Sequence, residues 1–576
     1  MIRKNQRDGS ASAYVGLSGS RLLAYVVSIA FLSLGIGRDI AAAQSSSGRQ
    51  AIQATHVPEA VRNGSATALG ASNNQQHLTL YLTLPTRNPS GLQQLLHDLS
   101  DRSSPRYRRF LSFTEFADQY GPTVQDYNAV AAWAQANGLN VTGTAASRRF
   151  VTVEAPVEMI NRVFQVRMTE YRHPSEARTF YAPDREPTTA GLTVPLLEVA
   201  HMSNFFTHHP KQSSGGSGLD GSYLPGDIRR AYYGKGPLTG AGQRVALIEF
   251  SGYSAADWQS FLSQTGTSTT VPITKVPVPS NYNDGCTSTT PCANDGEAIS
   301  DIVLVIGMAP GLSELRVYEA TDATGELPML EQILSDGTCK IVSISWSFGG
   351  SQSSDDSEIQ QLEAQGVSVL HSSGDDGSLT SGNSDWFDVD PAVTQVGGTQ
   401  LTTSNGAWSS EVAWPGSGGG YRSLSSATVP SYQQQPGVIN SSNGGSTQYR
   451  NTPDVALVAS NVMTWSNSDG LNPSGAGTSF SAPAFAGFLA LVNQQSEANG
   501  HSTVGAVNPQ LYSIGVNKPG AYHDITSGSN GNFNAVPGYD LVTGWGSPAG
   551  ILLIDQLAGV PRGVDALIPI LNLLLN

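Results

Sequence analysis

Four side chains in this sequence have the types and the spacing to attack a carbonyl. Ser479 stands in Ser474-Gly-Ala-Gly-Thr-Ser-Phe-Ser-Ala-Pro483, where small residues give way to the apolar run Phe480 to Val492. That run reads as a buried helix, so Ser479 falls at its N-terminus, facing free N–H groups and the positive end of the helix dipole. Serine there is an ordinary helix cap. It is also the setting of an attacking serine, because the oxyanion it creates needs stabilising as it forms. Glu297 and Asp301 are four apart in a strongly apolar stretch and share one helix face. Side by side, two carboxylates repel when ionised, so one pKa rises and the pair can share a proton. A solvated acidic face is the plain alternative, and the apolar flanks argue against it. Asp375, in Ser372-Ser-Gly-Asp-Asp-Gly377, is either a turn residue or, if kept protonated, a hydrogen-bond donor to an oxyanion. Past residue 215 the only histidines are His371, His501 and His523. None lies in a neighbourhood suited to activating a serine, which makes a carboxylate base the one to consider. Asp524-Ile525 and Val536-Pro-Gly538-Tyr-Asp540 flank a glycine-containing loop. Such a segment is either a plain turn or a shell of carboxylates and carbonyls for a hard cation.

The elements that must position these groups read in two blocks. Leu78 to Leu84 alternates as a strand, Gly91 to Leu99 and Val124 to Asn137 read as helices, and Leu139 to Thr142 and Phe150 to Glu154 as strands. Pro156 to Phe164 reads as a helix and Val166 to Tyr171 as a strand. This interleaving predicts a small α+β domain of the split βαβ, ferredoxin-like type over 77–206. Residues 44–76, rich in Ser, Gln, Asn, Ala and Gly, are expected to be a linker, as is the Gly/Ser stretch 207–218, where a maturation cut is expected. Beyond it, Val245 to Ile248, Ile341 to Ile344 and Val367 to Leu370 are continuous β-branched runs, and helices are expected over Glu297 to Ile306 and Ser481 to Gln495. This predicts an α/β domain over 219–558 with a parallel sheet covered on both faces. Active groups of such sheets lie at the C-terminal ends of the strands. Glu249, Trp346 and Asp375 fall there, consistent with one cleft.

The chain has 576 residues, 13% of them charged, and 62 glycines, which suits a loop-rich exported protein with more than one core. Basic residues precede the apolar run Leu22 to Gly37, and Ala41-Ala-Ala43 follows it, the pattern of a signal peptide over 1–43. The apolar tail 559–576 is interrupted by Pro569 and too short to span a bilayer. Residues 1–214 hold 20 basic and 15 acidic side chains, and residues 215–576 hold 11 and 31. A front half of net +5 and a back half of net −20 suggest two parts held by opposite charge, an attraction that acid would loosen. No basic patch interleaved with aromatics points to nucleic acid. Cys286 and Cys292 are close enough to close a loop in an oxidising compartment, leaving Cys339 as a buried thiol.

Taken together, the chain resembles the sedolisins, serine-carboxyl peptidases with a subtilisin-like fold, of the kind made with a kumamolisin-type pro-domain. The residues that carry the resemblance are the Glu297/Asp301 helix, Ser345-Trp346, Gly374-Asp375, Val396-Gly-Gly-Thr399 and Ser417-Gly-Gly-Gly-Tyr421. Thr452-Pro-Asp-Val455, Gly477-Thr-Ser479 through Pro483 and Thr543-Gly-Trp-Gly546 continue the order. In the front half Ser104-Pro-Arg-Tyr107, Phe116 and Tyr120-Gly-Pro122 resemble the family's pro-domain. The resemblance implies Ser479 as nucleophile, Glu297 as general base, Asp301 as its proton-sharing partner and Asp375 as the acidic member of the oxyanion hole. It implies that Glu249 and Trp346 extend the hydrogen-bond network and line the cleft, and that Gly418 and Gly419 form an edge on which substrate lies as a strand. It also implies one structural calcium ion on Asp524, Asp540 and the carbonyls of Ile525, Val536 and Gly538, Val536 standing where glycine is usual. The expected protein is a secreted, monomeric, self-processing acid endopeptidase acting on proteins or peptides, with its own pro-domain as inhibitor. A tripeptidyl exopeptidase, a histidine-based subtilisin relative and a catalytically silent peptide binder are the alternatives.

Overall fold

The computed structural model describes residues 49–174, 178–205, 218–287, 290, 292, 295–321, 325–348, 352–379, 386–423 and 427–560. The expected signal peptide, most of the 207–218 linker and nearly all of the apolar tail lie outside these residues. Among the described residues no helix is long and apolar enough to cross a membrane.

The front domain is built on a four-stranded antiparallel sheet ordered Asn140–Thr144, Phe150–Pro156, His77–Thr83, Glu198–Ala200. With helices Val124–Ala136 and Val157–Phe164 between strands, this is the split βαβ order. Leu78, Leu80 and Leu82 alternate onto the face that packs on Val130, Trp133 and Ile160. Tyr81, on the opposite face, is buried with Leu327 of the following domain. Sequence reading assigns the closing strand to 166–171. In the structure Met168–Arg172 instead joins a separate sheet between Thr67–Ala71 and Thr179–Pro183, and Glu198–Ala200 closes the main one. The linker expected over 44–76 is also corrected. Arg49–Ala51 pairs with Thr188–Ala190, Glu59–Arg62 is helical and Thr67–Ala71 is a strand. The polar composition hid these strands because their pairing partners lie 98 to 141 residues away, where local pattern gives no signal.

The second domain centres on an eight-stranded sheet. Its order is Ile273–Pro277, Glu314–Glu319, Arg244–Glu249, Ile341–Ile344, Ser368–Ser372, Val393–Ser404, Ala407–Ala413, with Val455–Val458 also pairing with Val393–Ser404. All pairings are parallel except that of Ala407–Ala413. Both faces are covered, which explains the unbroken apolar runs. Val245 and Leu247 face helices Gly296–Met308 and Thr478–Ala498. Ala246 and Ile248 face helices Leu327–Asp336 and Gln352–Ala364. The first two helices approach closely because residue 487 is glycine: a Cβ there would stand 2.6 Å from the Met308 Cβ. Cys286 and Cys292 are disulfide-bonded and Cys339 is a buried free thiol.

The front domain sits on the outer helices of the second. The hairpin tip before Phe150 inserts Ser147 and Arg149 between helices Leu327–Asp336 and Gln352–Ala364. The Ser147 N–H donates to Glu331 at 2.9 Å, and the buried Arg149 guanidinium lies 3.7 Å from the buried Glu358 carboxylate. The basic front half thus meets the acidic back half through a specific arginine.

Candidate active site

Strand ends and two helix N-termini meet at one place. Glu249 and Glu319 are register partners at the C-terminal ends of neighbouring strands, and both are buried. Ser345-Trp346 follows strand Ile341–Ile344, and Gly374-Asp375 follows Ser368–Ser372. Glu297 lies in the first turn of helix Gly296–Met308 and Asp301 one turn on, both buried. Ser479 lies in the first turn of helix Thr478–Ala498 and is wholly buried in this chain.

Hydrogen bonds tie these groups together. The Ser345 hydroxyl bridges the Asp301 carboxylate, at 2.8 and 2.9 Å to its oxygens, and the Ser479 carbonyl at 3.3 Å. That carbonyl is available because Pro483, four residues on, has no N–H with which to occupy it. The Trp346 indole N–H donates to Glu249 at 2.9 Å. Asp375 accepts from the Thr478 N–H at 2.9 Å and the Thr478 hydroxyl at 2.7 Å, so it is anchored to the residue preceding Ser479. The Gly374 N–H donates to the same hydroxyl at 3.1 Å, from a backbone φ of 111° that favours glycine.

The electrostatics favour retained protons. Burial pushes the carboxyls of Glu249 and Asp301 well above the ordinary carboxylate range, and the charge of Glu297 raises Glu249 further. A hydrogen bond between Glu249 and Asp301 also contributes to both shifts, and two carboxyls bond only with a proton between them. The sequence reading gives Asp301 to Glu297 as proton-sharing partner. In the structure Asp301 is also joined to Glu249, and the charge of Glu297 raises Glu249.

Glu319 and Lys275 escaped sequence reading. Burial raises Glu319 to about 8, opposed by Lys275, whose ammonium lies 3.2 Å from it and also pairs with Asp284. The available signal was an acid ending a buried strand, Val317-Tyr-Glu319, matching Leu247-Ile-Glu249. Ser345 and Thr478 were part of the motifs, but their bridging roles needed the contacts.

The remaining candidates lie nearby. The Gly418 N–H donates to the Gly374 carbonyl at 2.6 Å, and the Gly419 carbonyl accepts from Leu379 at 2.9 Å. Those two groups are therefore engaged within the chain, and a substrate strand would have to pair through others on this edge. Gly418 is required here, since a Cβ would overlap the Ser373 carbonyl. His371 is buried in the core, bonding the Trp346 carbonyl at 3.0 Å and Gln395 at 3.1 Å. It sits beneath the cleft as a structural support. Asp524 and Asp540 both accept from backbone N–H groups of the expected loop. Gly538 N–H donates to Asp524 at 3.1 Å, and Asp540 accepts from Val542, Thr543 and Val536 N–H groups at 2.8, 2.7 and 3.2 Å.

The arrangement can present a serine oxygen to a carbonyl, hold protons on buried carboxyls and place an acidic group beside the oxyanion. Comparison with known proteins agrees. Residues 65–190 match the pro-kumamolisin activation domain, and residues 294–509 match the subtilase family. The chain is 31% identical over 500 residues to kumamolisin of Bacillus sp. (strain MN-32), covering 79% of this chain and 87% of that one. It is 27% identical over 530 residues to sedolisin of Pseudomonas sp. (strain 101), covering 83% and 86%. It is 25% identical over 535 residues to tripeptidyl-peptidase 1 of Homo sapiens, covering 84% and 92%. Among solved structures, Pseudomonas sedolisin complexed with two molecules of pseudo-iodotyrostatin aligns with a TM-score of 0.48 and 26% identity, over 60% of this chain and 99% of that one. With an activation domain ahead of a subtilisin-like domain and a relative of this similarity along most of its length, the chain belongs to the sedolisin family of serine-carboxyl peptidases.

Proposed function

We propose that this protein is a secreted acid endopeptidase made as a self-processing zymogen. The Ser479 hydroxyl adds to a peptide carbonyl while Glu297, backed by Asp301 and Glu249, takes its proton. Asp375, protonated in acid, donates to the oxyanion. Collapse breaks the C–N bond, the proton passes to the departing amine, and water then hydrolyses the acyl-enzyme to restore the serine. Trp346 and the Gly418-Gly419 segment line the path of the substrate. The observation that carries this reading is the Ser345 bridge, which joins the carboxyl pair to the backbone of Ser479 itself. The activation domain ahead of the peptidase domain supports the zymogen reading.

The test is hydrolysis of an unfolded protein between about pH 2.5 and 8, a window spanning carboxyl and histidine titration, with the chain first incubated in acid. Activity confined to acid and lost in Glu297→Ala is expected. A neutral optimum that survives Glu297→Ala would refute the carboxyl base. Internal cuts are expected among the products, whereas tripeptides released only from the N-terminus would make it an exopeptidase.

We also assign one calcium ion to Asp524, Asp540 and the carbonyls of Ile525, Val536 and Gly538. Asp540 is wholly buried, and the hydrogen bonds it accepts come from neutral N–H and O–H groups. An all-oxygen set with two carboxylates suits a hard cation, which when bound would tie the loop to the sheet. Calcium is expected to raise the melting temperature of the wild type and not of Asp540→Asn. An equal rise in both would remove the assignment.

A further inference from the structure

The helix that carries Glu297 begins with an aspartate that does not cap it. Asp295 stands at the N-cap, and its carbonyl accepts the first helical bond from the Ile299 N–H at 3.1 Å. A carboxylate at that position ordinarily turns back onto the N–H groups of its own first turn. The buried Asp295 carboxylate makes no such bond and reaches instead to a hairpin formed by Val462–Ser466 and Gly470–Gly475. Both of its oxygens accept from the Asn467 N–H at 3.2 Å. The Asn467 side chain donates at 3.2 Å to Asp257, a second buried aspartate, whose other oxygen accepts from the Ser254 N–H at the start of helix Ala255–Gln264. The hairpin lies directly on the start of the Glu297 helix, since a Cβ on Gly296 would stand 3.5 Å from the Trp465 carbonyl. Its turn is fixed by its own bonds: the Ser466 hydroxyl donates to Asp469 at 3.1 Å and accepts from the Asp469 N–H at 3.2 Å.

The same hairpin runs into the nucleophile. Its second strand ends at Gly475, four residues before Ser479, and a Cβ on Gly475 would lie 3.0 Å from the Phe480 ring. Further along the Glu297 helix, Asp301 is tied through the Ser345 hydroxyl to the Ser479 carbonyl. Glu297 is therefore held between two ties, at residues 295 and 301, and each runs to the stretch of chain that bears Ser479. We propose that Asp295, gripping Asn467, is a positioning residue for the general base: it locks the start of the base helix to the hairpin, so that base and nucleophile keep one separation. The inference rests on the reading of Glu297 as base given above. With the Asp301 tie alone the start of the helix could pivot away from Ser479. A displacement of about 1 Å can cost about a hundredfold in rate, so a group in the supporting layer has a large effect on turnover. An aspartate that served only the helix would cap it, and this one is spent on the hairpin.

Two substitutions separate this clamp from an ordinary cap. Asp295→Asn keeps an oxygen acceptor at the same reach. Asp295→Ser supplies a good cap for its own helix, but its oxygen sits one bond nearer the backbone and falls short of Asn467. Each chain is matured in acid with a trace of tagged wild-type enzyme, which is then removed, and processing is confirmed by mass spectrometry. Steady-state kinetics on a short chromogenic peptide give kcat and KM, and calorimetry gives the melting temperature. Asp295→Asn is expected to keep kcat within about threefold of wild type. Asp295→Ser is expected to lose about tenfold or more in kcat, with KM and melting temperature little changed. Wild-type kcat in Asp295→Ser overturns the proposal. A loss of kcat that accompanies a lowered melting temperature overturns it too, by making Asp295 a residue of stability alone. An equal loss in Asp295→Asn would show that the charge matters and the grip does not. Glu297→Ala in the same assay keeps the two readings apart. If Glu297→Ala retains activity, the base assignment fails; if it is inactive while Asp295→Ser is fully active, only the clamp fails.

Discussion

Arg149 offers the sharpest test of how the two domains are held together. Its guanidinium is 2% exposed and faces Glu358, itself 1% exposed, with Glu331 beside them. Burial pushes Glu358 up to about 8, and the charge of Arg149 opposes that rise. The sign follows from the ionisation of the cup. Well below the ordinary carboxyl range the cup is neutral, and Arg149 is a buried cation with no charged partner. Above about pH 8 it faces ionised carboxylates, and removing it leaves them buried and uncompensated. Breaking a buried pair costs about 3–5 kcal/mol. Unfolding entropies of about 2 cal/mol/K per residue make 3 kcal/mol worth roughly 3 °C in a unit of this size. Arg149→Met in the Ser479→Ala chain is therefore expected to lower the melting temperature by about 3 °C at pH 8 and to leave it unchanged or raised at pH 4. Differential scanning calorimetry at the two pH values reads this directly. An equal loss at both would show that Arg149 acts through packing, and the electrostatic reasoning would fail.

Three further outcomes are expected. Thr478→Val keeps the shape of the side chain and removes the hydroxyl that joins Asp375 and Gly374; kcat is expected to fall about tenfold or more with KM little changed, and unchanged kcat would remove Thr478 as the positioner of Asp375. Lys275→Met removes the ammonium beside Glu319; every nearby carboxyl then ionises less readily, so the acid limb of kcat/KM is expected to move up by several tenths to about one pH unit, and an unmoved limb would disconnect Glu319 from the base. Finally, Glu249, Asp301, Glu319, Glu358 and Glu363 all have carboxyls raised by burial. The folded chain therefore binds protons that the unfolded chain releases, and stability is lost as pH rises from the ordinary carboxyl range through the raised values. The melting temperature of the Ser479→Ala chain is expected to fall between pH 5 and 8, and a rise would contradict these shifts.

What the sequence determined by itself was whatever is written in local chemistry. Small residues before an apolar run put Ser479 at a helix start, i,i+4 spacing put Glu297 and Asp301 on one helix, and unbroken β-branched runs announced a sheet buried on both faces. Pro483, four residues on along the same helix, supplies no N–H to the Ser479 carbonyl, which Ser345 takes up instead. What tertiary structure alone decided were relations across long separations. That Asp301 bonds Glu249, that Ser345 bridges Asp301 to Ser479, and that Lys275 answers Glu319 all depend on neighbouring strands ending at one level. The linker reading of residues 44–76 failed over its described part for the same reason, because those short strands gain their stability from partners 98 to 141 residues distant. Helical neighbours lie within one turn of each other in sequence and leave a periodic signature. Strand neighbours are set by sheet order, which leaves none.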